Sequence, residues 1–237
     1  MKYIEKLYTV NKEIQIEDTG LKITEDSLIL AEFIKKSIGN MCGSRNKEIL
    51  EIGAGQGIIS ILLSETVKTE IYAVEIQESI CMNLLENIER NNLKNKIFPL
   101  NEDIKNIEGE YDIIFSNPPY RKMNSGKLPE KQEELISKYE KSLTLEELFF
   151  SIKRLLKNNG HFFVIIPDYR LNDVFSYIYK NNMDILFLEI NEYKKKKVTN
   201  MRNLLEENKF KNIDFIYNNS YLGENKILTG TRGWNLL

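Results

Sequence analysis

The stretch Glu48-Ile49-Leu50-Glu51-Ile52-Gly53-Ala54-Gly55-Gln56-Gly57-Ile58-Ile59-Ser60-Ile61-Leu62-Leu63 decides the fold class of this 237-residue chain. Residues 48–52 read as a short strand, three glycines follow at alternate positions, and an apolar helix begins near Ile58. A glycine-rich turn between strand and helix lets a ligand approach the backbone closely. Side chains would block that approach, and tight turns often need positive φ. The spacing departs from the dinucleotide fingerprint, because the acid Glu51 precedes Gly53 by two positions. A pyrophosphate would be repelled there, whereas the cationic amino acid end of a ligand would be attracted.

Outward from this turn, short runs rich in isoleucine and valine alternate with helical patterns. Residues 48–52, 70–74, 97–100, 111–116, 161–166 and 185–189 read as strands, and 58–64, 79–91, 144–156 and 171–181 as helices. Asn158-Asn159-Gly160 reads as a helix stop. Strands and helices in alternation imply a mostly parallel sheet covered on both faces, because parallel neighbours need crossover connections. The expected class is doubly wound α/β. Residues 7–17 suit a small hairpin, and 27–36 a helix with Asp26 or Ser27 as N-cap, a segment placed to cover the ligand end of the sheet. Beyond 189, residues 198–208 read as helix and 213–217 and 226–231 as strands. The polar stretch from Arg121 to about Glu134 reads as a loop.

Three further positions carry chemistry. Glu75 ends the second strand, 22 residues after Gly53, where a carboxylate can accept hydrogen bonds from ribose hydroxyls. Asp103, after the third strand, can accept from an adenine amino group or serve simply as a helix cap. The fourth strand runs into Ser116-Asn117-Pro118-Pro119-Tyr120. Two prolines stiffen this turn, so the Pro118 carbonyl and the Asn117 amide form a pair of acceptors for the two hydrogens of a planar amine. The Tyr120 ring offers a stacking surface. Such a pair orients the nitrogen lone pair for in-line displacement, and no nucleophilic triad is needed. His161, the one histidine, opens an apolar strand and reads as structural.

With these motifs the chain resembles the class I S-adenosylmethionine-dependent methyltransferases. Within them it is most similar to the bacterial tRNA-valine adenine N6-methyltransferases, over roughly residues 7–189. That family has a lysine followed by Gly-Thr-Asp and an apolar helix; Lys22-Ile23-Thr24-Glu25-Asp26-Ser27-Leu28 keeps the lysine and the aspartate only. Ser137-Lys138-Tyr139-Glu140, before Leu143-Thr144-Leu145-Glu146, resembles its basic-aromatic-Glu stretch.

The resemblance implies a Rossmann-like, seven-stranded sheet with S-adenosylmethionine held by Glu51, Gly53, Gly55, Glu75, Asp103 and Asn117. The acceptor amine would lie on Asn117, Pro118, Pro119 and Tyr120, with Asn117, Pro118 and Tyr120 in the catalytic role. The implied substrate is an adenine of RNA, with tRNA as the partner and the target base next to the anticodon. Alternatives sharing the motif are glutamine N5-methylation of release factors, amino methylation of rRNA or DNA, and a non-enzymatic binding module. Against the release-factor family, only about fifty residues precede the glycine turn, where that family has a longer helical domain. Residues 193–221 read as an insertion before the last strand at 224–233, so the expected organisation is one domain. Its parts are an N-terminal hairpin and helix (1–46), the core (47–189), and the insertion with the last strand (190–237).

Composition bounds the remaining classes. With 42% hydrophobic residues the chain can bury one substantial core unaided. Cys42 and Cys81 are far apart and have no histidine near them, so neither a zinc site nor a disulfide framework is expected. No apolar stretch approaches the roughly 20 residues of a spanning helix, and charged residues interrupt the N-terminus, so a cytoplasmic, membrane-free monomer is expected. A net charge of −2 means that any nucleic-acid contact must use a local patch; Lys194 to Lys197 is the densest basic run, and such runs are more often solvated faces.

Overall fold

The computed structural model describes residues 2–7, 10–17, 23–41, 47–120, 142–191, 214–218 and 225–231. Strands β1 (Lys2–Leu7) and β2 (Lys12–Glu17) form an antiparallel hairpin, followed by α1 (Glu25–Met41). Next come β3 (Ile49–Ile52), α2 (Ile58–Leu63), β4 (Ile71–Val74), α3 (Glu78–Arg90), β5 (Ile97–Leu100) and β6 (Tyr111–Ser116). Then follow α4 (Leu145–Leu155), β7 (Leu156–Pro167), α5 (Leu171–Lys180), β8 (Asp184–Asn191), β9 (Asp214–Asn218) and β10 (Asn225–Thr231).

The main sheet runs β5-β4-β3-β6-β7-β10-β8-β9, and β10 is antiparallel to both its neighbours. The expected doubly wound, mostly parallel architecture is therefore present. The insertion adds an eighth strand to the seven: β9 pairs in parallel with β8 and becomes the sheet edge. Alternation along the strands divides the interior in two. Ile49, Ile113 and Phe163 face the hairpin, α1, α2 and α3, while Leu50, Ile114 and Val164 face α4 and α5. This is the period-two consequence of a pleated sheet covered on both faces.

Several boundaries differ from the sequence expectation. Helix α1 starts at Glu25, so Asp26 and Ser27 lie inside its first turn; the Thr24 hydroxyl accepts from the Ser27 amide at 3.3 Å and does the capping. The hairpin is longer than residues 7–17, with its turn where the first strand was expected to begin. Asn158-Asn159-Gly160 does not stop α4, which ends at Leu155 where Leu156 turns extended. Strand β7 begins immediately: Leu156 pairs with Tyr111 and His161 with Ile113, so the stop-like residues form an irregularity in the ladder, with Asn159 at φ 61°. Helix α4 opens one residue later than expected, with Thr144 outside it as the cap in a reciprocal pair with Glu147. The loop expected from Arg121, the helix expected at 198–208 and the run Lys194 to Lys197 lie outside the described residues.

Candidate functional site

The strand order reverses between β3 and β6, and in open α/β sheets a crevice forms beyond the carboxyl ends of the strands at such a point. A cavity of about 250 Å³ lies there. Glu51, Gly53, Gly55, Glu75, Asp103, Asn117, Pro118, Pro119 and Tyr120, although spread over 70 positions, all line it.

The floor is the glycine turn. Gly53, Gly55 and Gly57 have φ of 71°, 56° and 87°. The amides of Gly53 and Ala54 both donate to the Val74 carbonyl, at 3.0 and 2.9 Å, which binds the turn to the end of β4. A β-carbon on Gly53 or Gly55 would meet nothing within 4 Å, so these two are glycine for their backbone conformation and the space above them is the cavity. Gly57 is different, since a β-carbon there would lie 2.4 Å from Leu84 Cδ1 of α3. It leaves room for the Leu84 side chain of α3 beside the start of α2.

Two carboxyl groups stand over this floor. Glu51 is 1% exposed and accepts a hydrogen bond from the Ser60 hydroxyl on the first turn of α2. Burial outweighs that bond, and with the neighbouring Glu75 charge adding to it, raises the Glu51 pKa to about 8. In the ligand-free protein Glu51 is thus largely protonated at neutral pH, and a cation entering the cavity would draw off its proton. Glu75 accepts from the Gly55 amide through one oxygen and from the Gln77 amide through the other, both at 2.9 Å. Its pKa is also raised by burial, against the pull of these bonds. Glu75 is therefore locked in orientation, with the Gln77 side chain and the Ile76 backbone also bonding to it. Asp103 accepts from the Lys105 amide at 3.0 Å and caps the short helix behind β5, so the capping role applies to a residue that also borders the cavity.

The turn after β6 faces the glycine floor. Ser116 is anchored by its hydroxyl, which donates to the Ile52 carbonyl at 2.8 Å. The Asn117 side-chain nitrogen donates to Ser27 Oγ at 3.2 Å, which leaves the amide oxygen as the acceptor. The Tyr120 carbonyl accepts from the buried Arg170. Thr24, Asp26 and Ser27 also line the cavity, so it is the start of α1 that borders the site. The hairpin is held further back. Asn91 exchanges bonds with the Glu13 amide (2.9 Å) and carbonyl (2.6 Å), and Asn87 with those of Gln15 (2.7 and 3.1 Å). Asn87 also donates to the Gln56 carbonyl inside the glycine turn, at 3.1 Å.

Sequence reading missed Ser27, Ser60, Asn87 and Arg170 as parts of this construction. The decisive bonds of Ser27, Arg170 and Asn87 reach partners 90, 50 and 72 positions away, and no local spacing signals them. His161 is half-buried in β7 with its pKa lowered, first by burial and then by Lys47. Among the described residues no group of three His, Cys, Asp or Glu is placed to hold a metal, and no helix is long and apolar enough to cross a membrane.

Known proteins share this fold. The T. thermophilus 16S rRNA N2 G1207 methyltransferase, in complex with AdoMet and guanosine, superposes with a TM-score of 0.61 at 18% identity, over 98% of this chain and 50% of that one. The tRNA1(Val) (adenine(37)-N6)-methyltransferase of Bacteroides fragilis is 34% identical over 124 residues, which is 50% of this chain and 52% of the relative. Its counterpart in Flavobacterium johnsoniae is 36% identical over 159 residues, 65% of this chain and 64% of the relative. The aligned part thus spans between about half and just under two thirds of the length of these relatives. The methyltransferase small domain model matches residues 22–211, a span that takes in the glycine floor, both carboxyl groups and the Asn-Pro-Pro-Tyr turn. On that match, over most of its length, the chain belongs to the methyltransferase small domain family.

Proposed function

We propose that the protein is an S-adenosylmethionine-dependent methyltransferase acting on the N6 amine of an adenine in tRNA, next to the anticodon. The observation that carries this reading is the pairing, in one cavity, of a cation-seeking glycine floor with an amide whose oxygen is left as an acceptor. The residues fit the cofactor. Gly53 and Gly55 leave open space above their backbone, Glu51 is a buried carboxyl that a cation would ionise, and Glu75 presents oriented acceptors suited to ribose hydroxyls. Asp103 borders the same space for the adenine amino group. When bound, S-adenosylmethionine supplies a methyl group on a sulfonium, activated for displacement by a nitrogen lone pair.

The chain's own residues prepare that nitrogen. Asn117 Oδ1 and the Pro118 carbonyl each take one amine hydrogen, which turns the lone pair toward the cofactor side of the cavity, and Tyr120 supports the planar base. Methyl transfer to a positioned amine needs no covalent intermediate, so orientation and local electrostatics carry the rate. The names of the relatives support adenine in tRNA over other planar amines. The same reading takes residues 1–46, 47–189 and 190–237 as parts of one methyltransferase unit, working as a cytoplasmic monomer without metal.

The test is methyl transfer from labelled S-adenosylmethionine to unmodified tRNA, followed by nucleoside analysis. The expected product is N6-methyladenine, and Asn117→Ala lowers turnover at least tenfold, about 1.4 kcal/mol of barrier, with cofactor affinity retained. Methylated glutamine in a release factor, with no modified adenine, would move the assignment to a protein substrate. Near-normal turnover in Asn117→Ala would refute the amine-holding role.

A further inference from the structure

The Asn117–Tyr120 turn carries the acceptors and the stacking ring, yet its prolines restrict only its middle. The Asn117 side chain can rotate, and the backbone beyond Pro119 can tilt. Each end is tied to a different element outside the motif.

At the leading end, Asn117 donates through its side-chain nitrogen to Ser27 Oγ, on a residue 6% exposed in the first turn of α1. That hydroxyl lies 3.0 Å from Thr24 Oγ1. The Ser27 oxygen accepts from Asn117, and in the Ser27–Thr24 pair either hydroxyl can be the donor. The amide nitrogen is turned to α1 and the oxygen is left for the cavity. The reverse orientation would set two N–H donors against the hydrogens of an amine. At the trailing end, Arg170 Nη1 donates to the Tyr120 carbonyl and Nε pairs with Asp173 at 2.9 Å. Arg170 is 2% exposed and stands just beyond β7, the strand beside β6. A buried, planar guanidinium held by a carboxylate is a stiff donor.

We propose that Ser27 and Arg170 are positioning residues that clamp the Asn117–Tyr120 turn from both ends. Ser27 sets the orientation of the Asn117 amide, and Arg170 sets the tilt of the backbone that carries the Tyr120 ring. The proposal rests on the reading of this turn as the amine holder. It predicts a split. Loss of Ser27 acts on the alignment of the amine, and so on kcat; loosening Arg170 shifts the stacking surface as well, and so raises the KM for the acceptor. Both residues bond to the Asn117–Tyr120 turn and not to the glycine floor, although Ser27 lines the same cavity, so the effect is expected on the acceptor and not on cofactor affinity.

The experiment compares Ser27→Ala, Arg170→Lys and Asp173→Asn with the wild type in steady-state methyl transfer, cofactor calorimetry and hydrogen-exchange mass spectrometry. Asp173→Asn retains the arginine but removes the carboxylate that holds it, and guards against a misfolded Arg170 variant. Ser27→Ala is expected to lower kcat three- to tenfold with acceptor KM and cofactor affinity within twofold of wild type. The other two variants are expected to raise acceptor KM at least threefold. In all three, the peptide spanning 117–120 exchanges faster. If the wild type is active, kcat and KM within twofold of wild type in both Ser27→Ala and Asp173→Asn overturn the clamp. If the wild type methylates no acceptor, the amine reading fails, and the exchange decides the clamp separately: faster exchange at 117–120 supports it and unchanged exchange overturns it.

Discussion

Replacing Glu51 by glutamine removes a carboxyl that folding buries almost completely while keeping its shape. The unfolded chain holds this group near its ordinary value of 4.5, and the folded protein raises it to about 8, chiefly by burial. Between those values the folded state binds the extra proton, so stability falls as pH rises. The contribution is intact below pH 4.5 and is lost progressively up to pH 8. From pH 5 to pH 8 the loss amounts to a few kcal/mol, each unit of pKa being worth roughly 1.4 kcal/mol.

Glu51→Gln lacks this term, so urea unfolding across that range should show the variant gaining on the wild type as pH rises. The difference between the two proteins cancels the titrating groups that do not interact with Glu51, leaving Glu75 as the coupled neighbour. A cationic ligand has the opposite preference, since it favours the ionised carboxylate. S-adenosylmethionine affinity of the wild type should therefore increase by more than tenfold from pH 6 to pH 8. Calorimetry in buffers of different ionisation heat should find close to one proton released per ligand at pH 6, and none in Glu51→Gln. Parallel stability curves for the two proteins, or ligand binding without proton release, would refute the account of Glu51 as a buried acid exchanged for a cation.

Three other perturbations test separate parts of the construction. Glu75→Ala removes the acceptor of the Gly55 and Gln77 amides together with the proposed ribose contact. Calorimetry should show a loss of about 1–3 kcal/mol from a micromolar affinity, and unchanged affinity in a folded variant removes Glu75 from the site. Gly57→Ala forces a side chain onto φ 87° and against Leu84; a fall of about 1–3 kcal/mol in unfolding free energy is expected, and an unchanged midpoint would contradict the close approach of Leu84 to the glycine turn. Asn87→Ala strands the Gln15 amide and carbonyl and the Gln56 carbonyl, so about 1–3 kcal/mol of stability should go. Amide exchange at Gln15 should quicken, and protection as in the wild type would show that the hairpin is held by packing alone.

The alternation of strand-like and helix-like runs was enough to establish the doubly wound class. Its signals are local: period-two and period-3.6 patterns register how each segment must be buried, whatever its neighbours turn out to be. The glycine turn and Asn-Pro-Pro-Tyr were legible for the same reason, because φ beyond +50° at Gly53 and Gly55 and proline rigidity are properties of a few consecutive residues. Residue type also marked Glu51 as the acid beside the turn. Whether that acid is charged was not legible, since burial and the Ser60 hydroxyl come from the packing of α2 over β3. The start of α1 was misread because Thr24, Asp26 and Ser27 are all competent caps. Its packing against β7 and α2 fixes the helix's position, and only then does Thr24 cap while Ser27 turns toward Asn117. The eighth strand was read as a strand, but its place at the sheet edge follows from pairing with β8. Hydrogen bonds spanning 50 to 90 positions leave no periodic trace, so Ser27 and Arg170 look like ordinary helix-start residues until the sheet brings β6 between them.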